Sequence, residues 1–135
     1  MLNFWNQKNA KVIGRLSVFL LLIFIDQLTK NLAENKFLNF QFAFSLPVGA
    51  GVMFFLYALI LVLILNYCLK HYSQFTKIEW LAWLAIFAGA LSNIIERIVL
   101  GYVRDWIYIL NGVLNLADFY IIAGVIILLV YNKPK

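Results

Sequence analysis

The chain has 135 residues, of which 64% are hydrophobic and only 13% are charged, and its formal net charge is +5 at pH 7. Soluble domains are about half apolar and about a quarter charged, so this composition excludes a water-soluble monomer, and the high hydrophobicity excludes a disordered chain. A transmembrane helix uses about 20 apolar residues. The composition therefore predicts a small all-α membrane protein, with residues 1–135 forming a single integral membrane domain.

Four apolar segments along the chain predict a bundle of four transmembrane helices. The first segment follows Lys8, Lys11 and Arg15, and no small-residue cleavage site comes after it, which favours a retained helix over a signal peptide. The second carries Pro47 in its first turn, where the missing N–H group is harmless. The predicted spans are residues 12–32, 46–69, 78–100 and 113–131.

The charged residues divide unequally between the two ends of this bundle. Seven basic residues lie on the side of the N-terminus and four on the other side, so the positive-inside rule predicts that both termini are cytoplasmic. Five of the six acidic residues lie at the opposite, outer end. The two basic groups are Lys8, Lys11, Arg15, Lys70, Lys77, Lys133 and Lys135 inside, and Lys30, Lys36, Arg97 and Arg104 outside.

The chain has a single cysteine, Cys68, and a single histidine, His71, both predicted on the cytoplasmic side. One cysteine cannot form an intrachain disulfide, and this inventory disfavours a zinc or haem site. We therefore expect no metal and no cofactor.

Ionisable and amide side chains recur at the outer ends of the predicted spans. Such groups are costly in a membrane and by default mark a functional site. They occur in the first, third and fourth spans and in the connection before the fourth: Asp26, Lys30, Asn93, Glu96, Arg97, Asp105, Asn115 and Asp118.

Asp105 and Asp118 are the two acidic residues of this set whose pairing would support a reaction. Two carboxylates in a confined site share one proton, because both cannot easily be ionised together. One can then activate water for attack on an amide, while the other polarises the carbonyl and protonates the leaving nitrogen. The residue inventory favours an aspartic-type hydrolase.

Plainer interpretations of the remaining residues stay open. The i, i+4 spacing of Asp26 and Lys30 also fits a simple ion pair at a helix end. Glu96 and Arg97 also fit interfacial side chains that extend toward the headgroups, or a pair in which Glu96 orients Arg97. Asn115 also fits a helix cap or an interhelical hydrogen bond.

Four motifs of the sequence resemble those of the bacterial lipoprotein signal peptidases (signal peptidase II). The motifs occur in the order of that family, and the resemblance spans roughly residues 16–130. They are residues 26–30 (DQLTK), 39–45 (NFQFAFS), 92–106 (SNIIERIVLGYVRDW) and 115–118 (NLAD) with Gly124. The resemblance implies that Asp105 and Asp118 are catalytic. It implies that the substrate-binding or site-ordering residues are Asp26, Lys30, Asn39, Asn93, Glu96, Arg97, Asn115 and Ala117.

The resemblance also implies a substrate and a location. Members of this family remove the signal peptide from membrane-held preprolipoproteins by cleaving before the lipid-modified cysteine. The expected protein is a multi-pass aspartic endopeptidase of the bacterial plasma (inner) membrane, with its active site at the outer, extracytoplasmic face. Its expected partners are lipid-modified preprolipoproteins and membrane lipid, with no nucleic acid.

The sequence departs from the pattern of the family at several positions. Glu96 stands where the family has Asp, Ser92 where it has Gly, and Gln41 and Phe42 where it has small residues. The connections that hold Asn39 and the two aspartates are short, with room for only a reduced extracytoplasmic cradle and flap. A non-catalytic relative that binds lipidated peptides is therefore the alternative. A proton-coupled transporter is disfavoured, because the polar residues lie at one face of the bundle.

Overall fold

The computed structural model describes residues 2–40, 49–110 and 112–131. This part of the chain is mostly helical and also contains short strands. The helices are α1 (Leu2–Leu32), α2 (Ala50–His71), α3 (Lys77–Leu100) and α4 (Leu116–Tyr131), with a 3-10 turn at Tyr72–Gln74. The strands are β1 (Phe37–Asn39), β2 (Val103–Asp105), β3 (Ile107–Ile109) and β4 (Gly112–Leu114).

Within the described residues, three stretches of helix are long and apolar enough to cross a membrane, namely Asn9–Leu32, Gly51–Gln74 and Lys77–Leu100. These stretches correspond to the first three predicted spans. The fourth helix is apolar but has 16 residues, or about 24 Å of helix against a hydrocarbon core of about 30 Å. A fourth membrane span therefore stays a prediction. The start of the second span, with Pro47, and the substitutions at Gln41 and Phe42 lie outside the described residues.

The start of α4 differs from the sequence-based boundary. The apolar run beginning at Val113 predicts helix from that residue, but α4 begins at Leu116, because the residues before it pair in a β-ribbon. Asp118 is consequently the third residue of the helix, whereas a helix that starts at Val113 would place it about five residues further along than the first.

The helices α3 and α4 pack closely where glycines face the other helix. A side chain on Gly89 would collide with the backbone carbonyl oxygen of Ala117. A Cβ atom on Gly124 would lie 2.7 Å from the backbone oxygen of Ala82. Small residues at such positions let two membrane helices approach closely. This contact fixes the start of α4 against α3.

We expect Gly89→Ala to destabilise the fold by about 1–3 kcal/mol, the usual cost of overpacking a close contact. The matched control is Gly14→Ala in α1, where no atom of another described element lies within 4 Å of the added methyl group. That control should be neutral or stabilising by up to about 1 kcal/mol, because alanine is the better helix former. Thermal unfolding of both variants in detergent micelles measures the difference. Equal shifts in the melting temperature would contradict the packing interpretation.

In the part of the chain that the structure describes, two antiparallel ribbons of two strands each lie in the connections between helices. In the first, β1 pairs with β2 so that Phe37 faces Asp105 and Asn39 faces Val103. In the second, β3 pairs with β4 and Ile107 faces Leu114. The first ribbon joins the connection after α1 to the connection after α3, and so places Asn39 next to Asp105.

Candidate active site

One cluster holds the buried polar side chains of the described residues. It gathers groups from the second half of α1, the second half of α3, β2 and the residue before α4. These side chains are Asp26, Lys30, Ser92, Asn93, Glu96, Arg97, Asp105 and Asn115. All of them except Ser92 are site residues predicted from the sequence.

Asn115 and Asp118 form a reciprocal cap at the start of α4. The side-chain oxygen of Asn115 accepts a hydrogen bond from the backbone N–H of Asp118 at 3.0 Å. The Asp118 Oδ2 atom accepts one from the backbone N–H of Asn115, also at 3.0 Å. This is the capping-box pattern, which satisfies two N–H groups that the helix itself leaves unpaired. The cap fixes the orientation of the Asp118 carboxylate.

The same asparagine reaches the second aspartate. Asn115 Nδ2 donates to Asp105 Oδ1 at 2.6 Å, and Asn39 Nδ2 donates to Asp105 Oδ2 at 2.9 Å. Asn39 and Asp105 are diagonal neighbours on one face of the β1–β2 ribbon, which brings their side chains within reach. Asn115 therefore bridges Asp105 and Asp118 while it caps α4, so the expected cap is confirmed and its role as a site residue stays a prediction.

Asp105 is 2% exposed, and this burial raises the pKa of its carboxyl group above the usual value. The hydrogen bonds from Asn39 and Asn115 act in the opposite direction, because they stabilise the ionised form. The nearby negative charge of Asp118 raises the pKa further, and Lys30 lowers it. The two aspartates are therefore electrostatically coupled as well as bridged.

Lys30 lies at the centre of the cluster and is fully buried. Its ammonium nitrogen is 2.8 Å from Asp26 Oδ2 and 3.2 Å from Glu96 Oε2, and it donates to Asn93 Oδ1 at 2.8 Å. An ammonium group has three hydrogens, and these three contacts can satisfy all of them. Asn93 in turn donates from Nδ2 to Asp118 Oδ1 at 2.9 Å. The Asp26–Lys30 pair is thus part of the support for the aspartates and not a simple pair at a helix end.

Asp26 connects α1 to the other two helices of the cluster. Its Oδ1 atom accepts a hydrogen bond from the backbone N–H of Ala117 at 2.9 Å, and its Oδ2 atom accepts one from Ser92 Oγ at 2.6 Å. The N–H groups in the first turn of a helix stabilise a nearby negative charge. Ala117 therefore contributes its backbone donor to Asp26, and its backbone carbonyl is the group that Gly89 of α3 approaches closely.

Glu96 makes contacts that differ from those expected. Its Oε2 atom accepts the backbone N–H of Arg104 at 3.0 Å, and its Oε1 atom accepts Arg104 Nε at 2.6 Å. The contacts of its carboxylate run to Arg104 and Lys30, so the hypothesis that Glu96 orients Arg97 is replaced by a link between α3 and β2. Arg97 itself donates to the backbone oxygen of Asn93 at 3.5 Å, and its guanidinium group lies 5.4 Å from the ring centre of Tyr57.

Sequence reasoning did not select Ser92, Arg104 or Gln27 as site residues. Ser92 Oγ donates to Asp26 and accepts from Gln27 Nε2 at 2.8 Å. Gln27 could have been noticed as a polar residue inside an apolar span, and Arg104 as the neighbour of Asp105. Ser92 is marked only by standing where the family has Gly, because serine by itself is common in membrane helices.

Among the residues that the structure describes, no group of three or more His, Cys, Asp or Glu side chains could hold a metal ion. The polar cluster instead offers two coupled carboxylates, which can exchange protons with a bound water molecule.

The chain matches the family model described as signal peptidase (SPase) II over residues 18–132. The lipoprotein signal peptidase of Caldicellulosiruptor bescii is 34% identical over 122 residues, which cover 77% of this chain and 80% of that protein. The lipoprotein signal peptidase of Thermodesulfovibrio yellowstonii is 31% identical over 140 residues, which cover 89% and 94%.

A solved bacterial membrane enzyme, determined by the in meso method, has the same fold. It superposes with a TM-score of 0.71 at 23% identity and covers 90% of this chain and 92% of its own. The extent of the family match, supported by these relatives, leads to one conclusion: the chain belongs to the signal peptidase II family of bacterial membrane proteases.

Proposed function

We propose that this protein is an intramembrane aspartic endopeptidase that removes the signal peptide from lipid-modified preprolipoproteins. The bond cleaved is the amide before the diacylglyceryl-cysteine. The observation that carries the proposal is the bridge that Asn115 forms between Asp105 and Asp118, which holds the two coupled carboxylates at one site. The relatives named lipoprotein signal peptidase support the choice of substrate.

The reaction needs one proton shared between Asp105 and Asp118. The ionised carboxylate removes a proton from water while the water oxygen attacks the scissile carbonyl carbon, and the protonated carboxyl donates its proton to the carbonyl oxygen. When the C–N bond breaks, a carboxyl group returns a proton to the leaving nitrogen. The products are a signal peptide with a free carboxylate and a lipoprotein with a free amino group on its modified cysteine. The raised pKa of Asp105 favours its protonated form, in the direction that proton sharing by the pair requires.

The proposed arrangement in the membrane has four spans, with both termini in the cytoplasm of a bacterium and residues 1–135 forming one domain of the plasma (inner) membrane. The polar cluster lies at the end of the bundle where α1 and α3 finish and α4 begins, which we place at the outer face. The β1–β2 and β3–β4 ribbons would form the reduced cradle beside it. A site at this level suits a substrate whose acyl chains stay in the lipid while its scissile amide reaches the aspartates.

The deciding experiment compares two substrates in detergent micelles or liposomes, a lipid-modified preprolipoprotein and the same precursor without the lipid. We expect cleavage of the lipid-modified form alone, before the modified cysteine, detected by mass spectrometry of both products. Binding of the lipid-modified form with no product after long incubation would favour the non-catalytic alternative. Equal cleavage of both precursors would contradict the proposed specificity.

We expect Asn39→Ala to shift the pH dependence of cleavage to higher pH. Asn39 donates to the Asp105 carboxylate, which stabilises the ionised form and lowers the pKa. Without this donor the pKa of Asp105 rises, so the coupled pair binds its protons more tightly and both limbs of the profile move upward. The measurement is kcat/KM against pH for the variant and for the natural protein. A profile that is lower but unmoved would contradict the expected role.

A further inference from the structure

Asp105 is held by a strand that has little stability of its own. β2 has three residues, and among the described residues it pairs only with the three residues of β1. An isolated two-stranded ribbon is marginally stable at best. The position of the Asp105 carboxylate must therefore depend on side-chain anchors that fasten β2 to the helices.

Arg104, the residue before Asp105 in β2, provides such anchors to two helices. Its Nε atom donates to Glu96 Oε1 at 2.6 Å, which fastens the strand to α3. One terminal nitrogen donates to Asn31 Oδ1 at 2.5 Å, and the other donates to Gln27 Oε1 at 3.0 Å, which fastens the strand to α1. The backbone N–H of Arg104 also donates to Glu96 Oε2. These bonds engage all three guanidinium nitrogens.

The planar guanidinium group suits this position better than another cation would. It presents its donors in a fixed fork, so several bonds form at once with a defined geometry, whereas an ammonium group is a flexible point charge. Charge-assisted hydrogen bonds of this kind are roughly twice as strong as neutral ones. The Arg104 side chain is largely sheltered, at 16% exposure, and the Glu96 carboxylate is almost fully buried.

The anchor and the catalytic group lie on opposite faces of β2. Successive side chains of a strand alternate, so Arg104 points to the face opposite that of Asp105. It therefore acts on Asp105 through the backbone rather than through its charge.

We infer that Arg104 is a positioning residue for the proposed cleavage, which fixes Asp105 by clamping β2 to α1 and α3. The guanidinium group binds three side chains of the two helices, and these form the fixed half of the clamp: Glu96, Gln27 and Asn31. The inference deepens the proposed function and rests on it. It gives Glu96 a purpose in this chain, since its carboxylate joins the clamp to the buried Lys30.

The principal test is Arg104→Met in the full-length protein, assayed with a lipid-modified preprolipoprotein. A displacement of about 1 Å in a reacting group can cost about 100-fold in rate, so we expect kcat to fall by about 10–100-fold with KM nearly unchanged. Arg104→Lys keeps the charge but not the fork, and should recover little of the activity. The matched control is Lys36→Met, which removes a cation near β1 whose ammonium group binds a backbone oxygen of Asn31.

The pH profile separates positioning from a loss of folded protein. A loosened β2 exposes Asp105 to water and removes the burial that chiefly raises its pKa, so the alkaline limb of kcat should move to lower pH in Arg104→Met. A smaller amount of folded enzyme would lower the whole profile without moving its limbs. An unmoved alkaline limb in Arg104→Met, or full activity in Arg104→Lys, would overturn the inference.

Asn31→Ala keeps the test decisive if Arg104→Met does not fold. Asn31 is exposed and contributes a single bond to the guanidinium group, so its loss should leave the fold intact and lower kcat by a few fold. Hydrogen exchange at residues 103–105 should speed up in this variant and stay unchanged in Lys36→Met. Hydrogen exchange reports on the clamp without any substrate. If the natural protein fails to cleave the substrate, the proposed function alone is refuted. If exchange at residues 103–105 is unchanged in Asn31→Ala, the clamp alone is refuted.

Discussion

Replacing Asp105 or Asp118 with asparagine is expected to reduce cleavage of a lipid-modified preprolipoprotein by about 10⁴-fold, the upper end of the range for general acid–base groups. The effect is large because each carboxyl group takes part both in the attack of water and in the departure of the amine. Asparagine preserves the shape of the side chain but cannot accept and return a proton at neutral pH. Substantial cleavage by either variant would refute the assignment of the pair.

The controls for this experiment must separate chemistry from folding. Asp118 also closes the cap of α4 with Asn115, so Asp118→Asn is expected to lower stability by about 1 kcal/mol, as other cap losses do. Asp105→Asn leaves this cap intact, so it should not lose stability by this route. Glu34→Gln removes an exposed carboxylate just after the C-terminal end of α1, at the end of the bundle that holds the polar cluster. It should leave both cleavage and melting temperature unchanged.

The double variant gives an independent check on the shared role. If Asp105 and Asp118 act as one unit, removing both should cost little more than removing either one, as is typical of groups that work together. If each makes a separate contribution, the two losses should multiply. Single-turnover rates of the two single variants and the double variant distinguish these outcomes.

The sequence predicts the buried cluster well because charged residues inside apolar segments are easily recognised. Lys30, Glu96 and Asp26 would be costly in a membrane without partners, and the structure shows that they pair with one another. Periodicity along each helix, however, cannot show which groups meet across helices. The contacts of Glu96 with Arg104 and of Ser92 with Asp26 depend on how α1, α3 and β2 pack.

Two features of the fold were less predictable for different reasons. The pairing of β1 with β2 joins residues more than 60 positions apart, and three-residue strands leave no clear pattern in the sequence. The start of α4 was hidden because apolar residues occupy both β4 and the helix, with only Asn115 between the two elements. The signal that marks the boundary is local, since Asn115 and Asp118 have the spacing of a capping box.

Lys30→Met is expected to produce the largest loss of stability, about 3–5 kcal/mol, because it removes one partner from a fully buried ionic cluster. The Asp26 carboxylate would lose its cation, and the Asn93 side-chain oxygen would lose its donor. Methionine fills a similar volume, so the loss reports on charge and hydrogen bonding rather than on a cavity. Thermal unfolding in detergent micelles measures it, and Lys36→Met provides the matched control.

A second substitution tests whether the unpaired carboxylate of Asp26 causes the loss of stability. Adding Asp26→Asn to Lys30→Met removes the uncompensated carboxylate, and this pair should recover about 0.5–3 kcal/mol relative to the sum of the two single losses. Losses that simply add would mean that Lys30 contributes through packing alone. The double variant should remain inactive even where stability returns, because Asn93 binds Asp118 while its own position is fixed by Lys30. Recovered stability without recovered cleavage would therefore locate the function of Lys30 in its bond to Asn93.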